Sequence, residues 1–164
     1  MGTRGDLCES VWFGVDVASE VDLTAVTVLR MVNARLWICE LYIMSRIPYQ
    51  TGPDGVGQDR IVASLCHMHQ PEAVCMDATG DGAKLFAALA HQKLPRGTRL
   101  IPHTVDLAWK VDIVPEMKSA MERGRLLFDR DAPQMFLDHG GLSRLEAHKA
   151  DQLTPHAARA IVEG

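Results

Sequence analysis

Two aspartates each stand at the end of an apolar run. Asp16 follows Val11-Trp12-Phe13-Gly14-Val15, and Asp77 follows Ala73-Val74-Cys75-Met76. A carboxylate carried into apolar surroundings costs several kcal/mol unless a cation, a set of donors or a water-filled pocket compensates it. Two carboxylates brought side by side repel, and a cation between them removes the repulsion. Hard divalent ions, Mg²⁺ or Mn²⁺, take oxygen ligands of this kind. A third carboxylate late in the chain, Asp151, would complete a two-ion centre of the sort that attacks a phosphodiester in line, with the ions about 3.5–4 Å apart. Asp16, Asp77 and Asp151 are therefore the candidate catalytic residues and metal ligands, with Asp22 and Asp81 as candidate outer ligands. Each also has a plainer reading. Asp16 can be a strand-end residue bonded to a turn, Asp77-Ala78-Thr79-Gly80-Asp81-Gly82 is ordinary turn chemistry, and Asp151 can cap a helix.

The elements that must bring these acids together follow from pattern. Residues 11–18 read as a central strand covered on both faces. Residues 23–31 and 35–44 are strongly β-forming and are separated from it and from each other by short turns, which makes a three-strand antiparallel meander. Residues 45–57 hold Pro48, Gly52, Pro53, Gly55 and Gly57 and read as a loop. Ile61, Val62, Leu65 and Cys66 recur at helical spacing, so a helix spans 57–69 and ends before Pro71. A buried strand at 73–76 ends in Asp77. A turn and a helix marked by Leu85, Phe86 and Leu89 come next, then a brief strand at 99–102. Asp112 is positioned to cap a helix over 113–123, with Pro115 in its first turn and Gly124 at its end. A short strand at 125–128, a helix at 133–145 and a last helix at 155–162 complete the chain. Asp16 and Asp77 meet only if the fourth strand lies beside the first and parallel to it. The expectation is a mixed central sheet of the α/β class with helices on both faces: a flexible lead-in over residues 1–10, then one domain over 11–164.

Composition narrows the class. The chain has 164 residues, 47% apolar and 23% charged, as in ordinary globular proteins. No apolar run approaches the roughly 18 residues of a membrane span, and the N-terminus lacks the apolar stretch of a secretory signal. The four cysteines form no CxxC pair and read as reduced thiols in an intracellular protein. A net charge of −4 does not advertise a nucleic-acid binder, although clustered metal-binding acids would contribute that sign in any case. His67-Met68-His69 near Cys66 lacks a fourth zinc ligand. No Ser–His–Asp arrangement stands out, and no GxxxxGK[ST] phosphate loop is present.

Gly14-Val15-Asp16-Val17-Ala18 followed by Asp22-Leu23-Thr24-Ala25-Val26 resembles the opening motif of the nuclease domain of tailed-phage terminase large subunits. Cys75-Met76-Asp77-Ala78-Thr79-Gly80-Asp81-Gly82 resembles its second motif. Lys110 and the later Arg123-Gly124-Arg125-Leu126 are similar to its lysine, helix and basic strand, and Ala150-Asp151 with Ala157-Ala158-Arg159-Ala160 to its closing motif. The likeness spans roughly residues 11–162. The chain departs from the pattern after Asp151, where Gln152-Leu153-Thr154-Pro155 replaces the family's aromatic and apolar residues. The resemblance implies an RNase H-like fold and cleavage of double-stranded DNA during viral packaging. It carries Asp16, Asp77 and Asp151 over as ligands of two Mg²⁺ or Mn²⁺ ions. An ATPase motor domain and a portal protein would be partners, in the cytoplasm of a host carrying the phage or prophage. Lys84, Lys110, Lys118, Arg123 and Arg125 are candidate contacts to DNA phosphates. A resolvase-like nuclease on the same fold and a non-catalytic docking module of a packaging motor are the alternative readings.

Overall fold

A computed structural model describes residues 8–17, 23–53, 55–129, 132 and 134–138. The chain opens with β1 (Cys8–Asp16), β2 (Leu23–Val32) and β3 (Arg35–Ser45), paired antiparallel in sequence order. This is the expected meander, although β1 begins at Cys8, earlier than the apolar run suggests. Asn33 and Ala34 turn β2 into β3 with φ of 52° and 59°, the left-handed pair that matches the twist of a two-residue hairpin. Next come α1 (Gln58–His69), β4 (Ala73–Asp77), α2 (Gly80–Ala90) and β5 (Arg99–His103). The described chain closes with α3 (Leu107–Glu122), β6 (Leu126–Phe128) and β7 (Gln134–Asp138). The sheet order is β5-β4-β1-β2-β3-β6, with β7 also beside β3. β4 runs parallel to β1, β5 parallel to β4, and β6 and β7 parallel to β3. The fold is a mixed α/β sheet whose antiparallel meander is extended by parallel strands, as the sequence pattern predicts.

Alternation along the strands gives the sheet two different faces. Phe13 and Val15 of β1, Val26 and Val28 of β2, Tyr42 and Met44 of β3, and Val74 and Met76 of β4 form one dry layer. Val62, Leu65 and Cys66 of α1 and Leu85 and Leu89 of α2 pack onto it. Fully burying each of the larger apolar side chains is worth about 1.5–3 kcal/mol, and these residues hold the sheet rigid. The other face carries Trp12, Gly14 and Asp16 of β1, none of them buried. Among the described residues β1 is thus central but not covered on both faces, and Asp16 is exposed where its apolar neighbours suggest burial. Among the described residues the buried acid is instead Asp59, 1% exposed, which accepts hydrogen bonds from Thr51 N and Thr51 Oγ1 at 2.8 Å and from Gln92 Nε2 at 2.7 Å.

Two elements differ from the sequence pattern. α3 is capped by Asp106, whose Oδ1 accepts from Trp109 N at 2.7 Å, so Asp112 is not the cap and Pro115 lies inside the helix. An interior proline removes one backbone hydrogen bond but does not end a helix held at both sides of it. None of the α3 residues is buried, and Leu107 is 78% exposed. Residues 134–138, expected to open a helix at 133–145, form β7. Met135 and Leu137 are buried while Gln134 and Phe136 are exposed, a period of two that satisfies the open edge of β3. The remainder of that expected helix, and the one at 155–162, lie outside the described residues.

At the end of α1 a closed ring of polar groups joins helix to sheet. Arg30 Nη2 donates to His69 Nδ1 at 3.0 Å and to Glu40 Oε1 at 3.2 Å, and Tyr42 OH donates to Glu40 Oε2 at 2.8 Å. A guanidinium only donates, so Nδ1 is bare and Nε2 carries the proton that meets the Tyr42 oxygen at 3.0 Å. The ring closes only around a neutral imidazole. Burial holds the His69 pKa below its ordinary value, and Arg30 adds to the effect while Glu40 opposes it. Burial and Glu40 also push the Tyr42 hydroxyl pKa upward.

Two tests follow from this packing. The folded His69 pKa lies below the unfolded value of about 6.5, so its stabilisation is complete above that pH and is lost as pH falls through the folded value. In urea titrations, parent and His69→Gln should differ by a constant margin above about pH 6.5, and the margin should shrink below it; a margin independent of pH would contradict the neutral ring. Separately, a Cβ at Gly82 would run into the Asp77 carbonyl oxygen, because the first turn of α2 lies directly against the end of β4. Gly82→Ala should lower unfolding free energy by about 1–3 kcal/mol in the same assay.

Candidate active site

The parallel register of β1 and β4 runs from Trp12↔Ala73 to Val15↔Met76. One further step brings Asp16 level with Asp77, on strands about 4.8 Å apart. The register of β4 and β5 pairs Asp77 with His103. Three polar residues therefore stand abreast at the carboxyl ends of three parallel strands, where open α/β sheets present their ligands. Asp16, Asp77 and His103 line one cavity of about 450 Å³, together with Thr27, Cys75 and Trp109. Its floor is the uncovered face of the sheet, and Trp109 brings the start of α3 to its rim.

The two acids are held differently. Asp77 is half-buried, and its Oδ1 accepts from Thr79 N at 3.0 Å and Thr79 Oγ1 at 2.7 Å. This is the turn chemistry of the plainer reading, and it also aims the carboxylate. The N-terminus of α2 follows immediately, and its partial positive charge favours an anion there. Gly80, at φ 51°, and Gly82, against the Asp77 carbonyl, make this tight passage possible. Asp16 is exposed at the end of β1, and no described residue donates a hydrogen bond to its side chain.

Oxygen donors on neighbouring strands suit a hard divalent cation. Two carboxylates do not complete such a centre, and among the described residues no group of three or more His, Cys, Asp or Glu is arranged to hold an ion. Asp151 and Asp22 lie outside the described residues. Asp81 is engaged elsewhere: Lys84 Nζ meets its Oδ1 at 2.8 Å, and that contact lowers the Asp81 pKa.

The candidate DNA contacts separate into groups. Lys84 is paired with Asp81 and stands 5.8 Å from the centre of the Tyr49 ring. Lys110 is exposed in the first turn of α3, next to Trp109. Lys118 approaches Glu122 at 3.9 Å. Arg123 and Arg125 are exposed at the opposite end of the sheet: the Arg125 carbonyl accepts from Leu36 N, whereas Asp16 is level with Ala25 and Ile43. Seven residues of strand separate those levels, roughly 20 Å, so these two arginines could reach only a remote phosphate.

His103, Trp109 and Thr79 are the residues that sequence reasoning passes over. His103 had a signal, since Arg99-Leu100-Ile101-Pro102 is a third apolar-leaning strand that ends in a polar residue. Trp109 had none while the helix was expected to start after Asp112.

No protein-family profile and no curated protein sequence matches the chain. Solved structures do. The large terminase of the thermophilic bacteriophage D6E superposes with a TM-score of 0.55 at 14% identity, over 79% of this chain and 31% of that one. The same terminase in complex with ATP-γ-S gives 0.51 at 15% identity, over 74% and 29%. The human cytomegalovirus terminase nuclease domain, soaked with Mn and bound to an inhibitor, gives 0.48 at 10% identity, over 80% and 70%, too distant to carry weight. The chain thus spans less than a third of the length of the phage terminase it matches, and what it shares with that protein is the fold.

Proposed function

We propose that this chain is a metal-dependent endonuclease domain that hydrolyses phosphodiester bonds of double-stranded DNA, as in viral DNA packaging. The observation that carries the reading is that Asp16 and Asp77 directly follow the last register pair of two parallel strands, Val15 and Met76, and line one cavity. The terminase-like fold supports it.

In this reading Asp16 and Asp77 hold Mg²⁺ or Mn²⁺, and Asp151 supplies the third carboxylate. Two ions bound there would lower the pKa of a water and stabilise the leaving oxygen. Thr79 fixes the direction of the Asp77 carboxylate before any ion arrives, so little reorganisation is left to the moment of binding. The N-terminus of α2 lessens the cost of gathering negative charge. Lys110 is the cation nearest in sequence to the cavity rim and is suited to a phosphate of the bound strand. DNA is gripped mainly through its phosphates, and cleavage carries little sequence preference. An ATPase motor and a portal protein are the proposed partners, and the cytoplasm of a phage-carrying host is the proposed location. Among the described residues no helix is long and apolar enough to cross a membrane.

Plasmid nicking with Mn²⁺ tests the reading. Asp16→Asn and Asp77→Asn should each reduce nicking by at least about 100-fold, and Thr79→Val by about 10–100-fold, since it removes one support of a ligand and not the ligand itself. Chelation of the metal should abolish nicking and Mn²⁺ should restore it. Aspartate variants that cut as well as the parent would refute the mechanism.

A further inference from the structure

The cavity beside the two acids is built unlike a phosphate site. A phosphodiester is held by cations and N–H groups. Among the described residues the walls away from Asp16 and Asp77 are mainly apolar, with Gly14, Cys75, Val105 and Trp109, and their polar members are Thr27 and His103; no lysine or arginine lines them. Concave, largely apolar spaces with a few polar groups at one side suit a flat ring attached to a charged chain.

We propose that this cavity receives a nucleobase, so that the strand presented to Asp16 and Asp77 has one base turned out of its pair. The inference rests on the proposed nuclease function for its substrate class and goes beyond it in naming the state of the substrate. Four observations support it. The volume, about 450 Å³, lies in the range of sites that enclose small ligands. Trp109 is 37% exposed on the cavity rim, and its ring centre is 6.2 Å from that of His103 at an angle of 44°, so two aromatic rings border the space without filling it by stacking on each other. The Trp109 backbone is held by the Asp106 cap at 2.7 Å, which places the indole at a fixed first turn of α3 and not on a loose loop. Stacking on an aromatic ring is open to every base, in keeping with a site that does not read sequence. Gly14 completes the pocket: an added Cβ would meet nothing nearer than Leu29 Cδ1 at 4.0 Å, so the space above the strand is open because this residue has no side chain.

The test reads binding without metal, so that neither cleavage nor ion binding enters. Fluorescence anisotropy in EDTA compares a labelled 12-nucleotide oligodeoxythymidylate with the same backbone carrying abasic residues. The parent chain should bind the base-bearing strand about 10-fold more tightly. Trp109→Ala should remove that preference and Trp109→Phe should keep it. Gly14→Val, which puts a branched side chain into the open space above β1, should also remove it. Equal affinity for the two strands in the parent, or a preference that survives both Trp109→Ala and Gly14→Val, would overturn the proposal. A parent that nicks plasmid with Mn²⁺ yet ignores the bases refutes the pocket alone. One that prefers bases yet never cuts refutes the nuclease and leaves the pocket standing.

Discussion

Parallel pairing of β1 with β4 is the constraint on which the candidate site depends. The two strands are separated in sequence by the whole meander, the loop at 46–57 and α1. Only their hydrogen-bond register makes Asp16 and Asp77 neighbours. A slip of one residue would turn one carboxylate into the dry layer between sheet and helices, because side chains alternate along a strand. Phe13 and Val15 on β1, and Val74 and Met76 on β4, oppose such a slip, since it would carry the core residues of the slipping strand out of the dry layer. The same apolar residues that make the core therefore set the acids at one level on the rim.

The two faces of the sheet divide the work of the fold. One is closed by α1 and α2 and tied at its far end by the Arg30–His69–Tyr42–Glu40 ring. It supplies rigidity. The other is left open near the strand ends, where α3 contributes Trp109 to the rim but buries none of its own residues. A cavity, two acids and an aromatic rim can exist on that face because the opposite face supplies the stability. Cys66, fully buried on the core side of α1, has its thiol pKa pushed up to about 12 by burial, whereas Cys75 faces the cavity.

Much of this was legible in the residues. The meander, α1, β4 ending in Asp77, and α2 follow from strand-forming runs, helical spacing and turn residues, and the parallel meeting of β1 and β4 was the arrangement the two acids required. What was not legible depended on tertiary context. Asp16 is flanked by apolar residues, yet its neighbours Phe13 and Val15 point to the core while it does not. Gln134–Asp138 carries both helical and alternating apolar spacing, and the open edge of β3 decides for strand. Asp112 reads as the cap in sequence, and the helix starts earlier because the nitrogen of Trp109 finds the Asp106 carboxylate. His103 becomes meaningful only once β5 is set beside β4.

The central claim is that the first two acids share a cation. Electron paramagnetic resonance of Mn²⁺ titrated into the full chain measures that directly, with no DNA present. The account predicts a bound-manganese signal in the parent that is lost in Asp16→Asn and in Asp77→Asn alike, with each variant as folded as the parent by circular dichroism. Manganese binding that persists undiminished in both folded variants would contradict it.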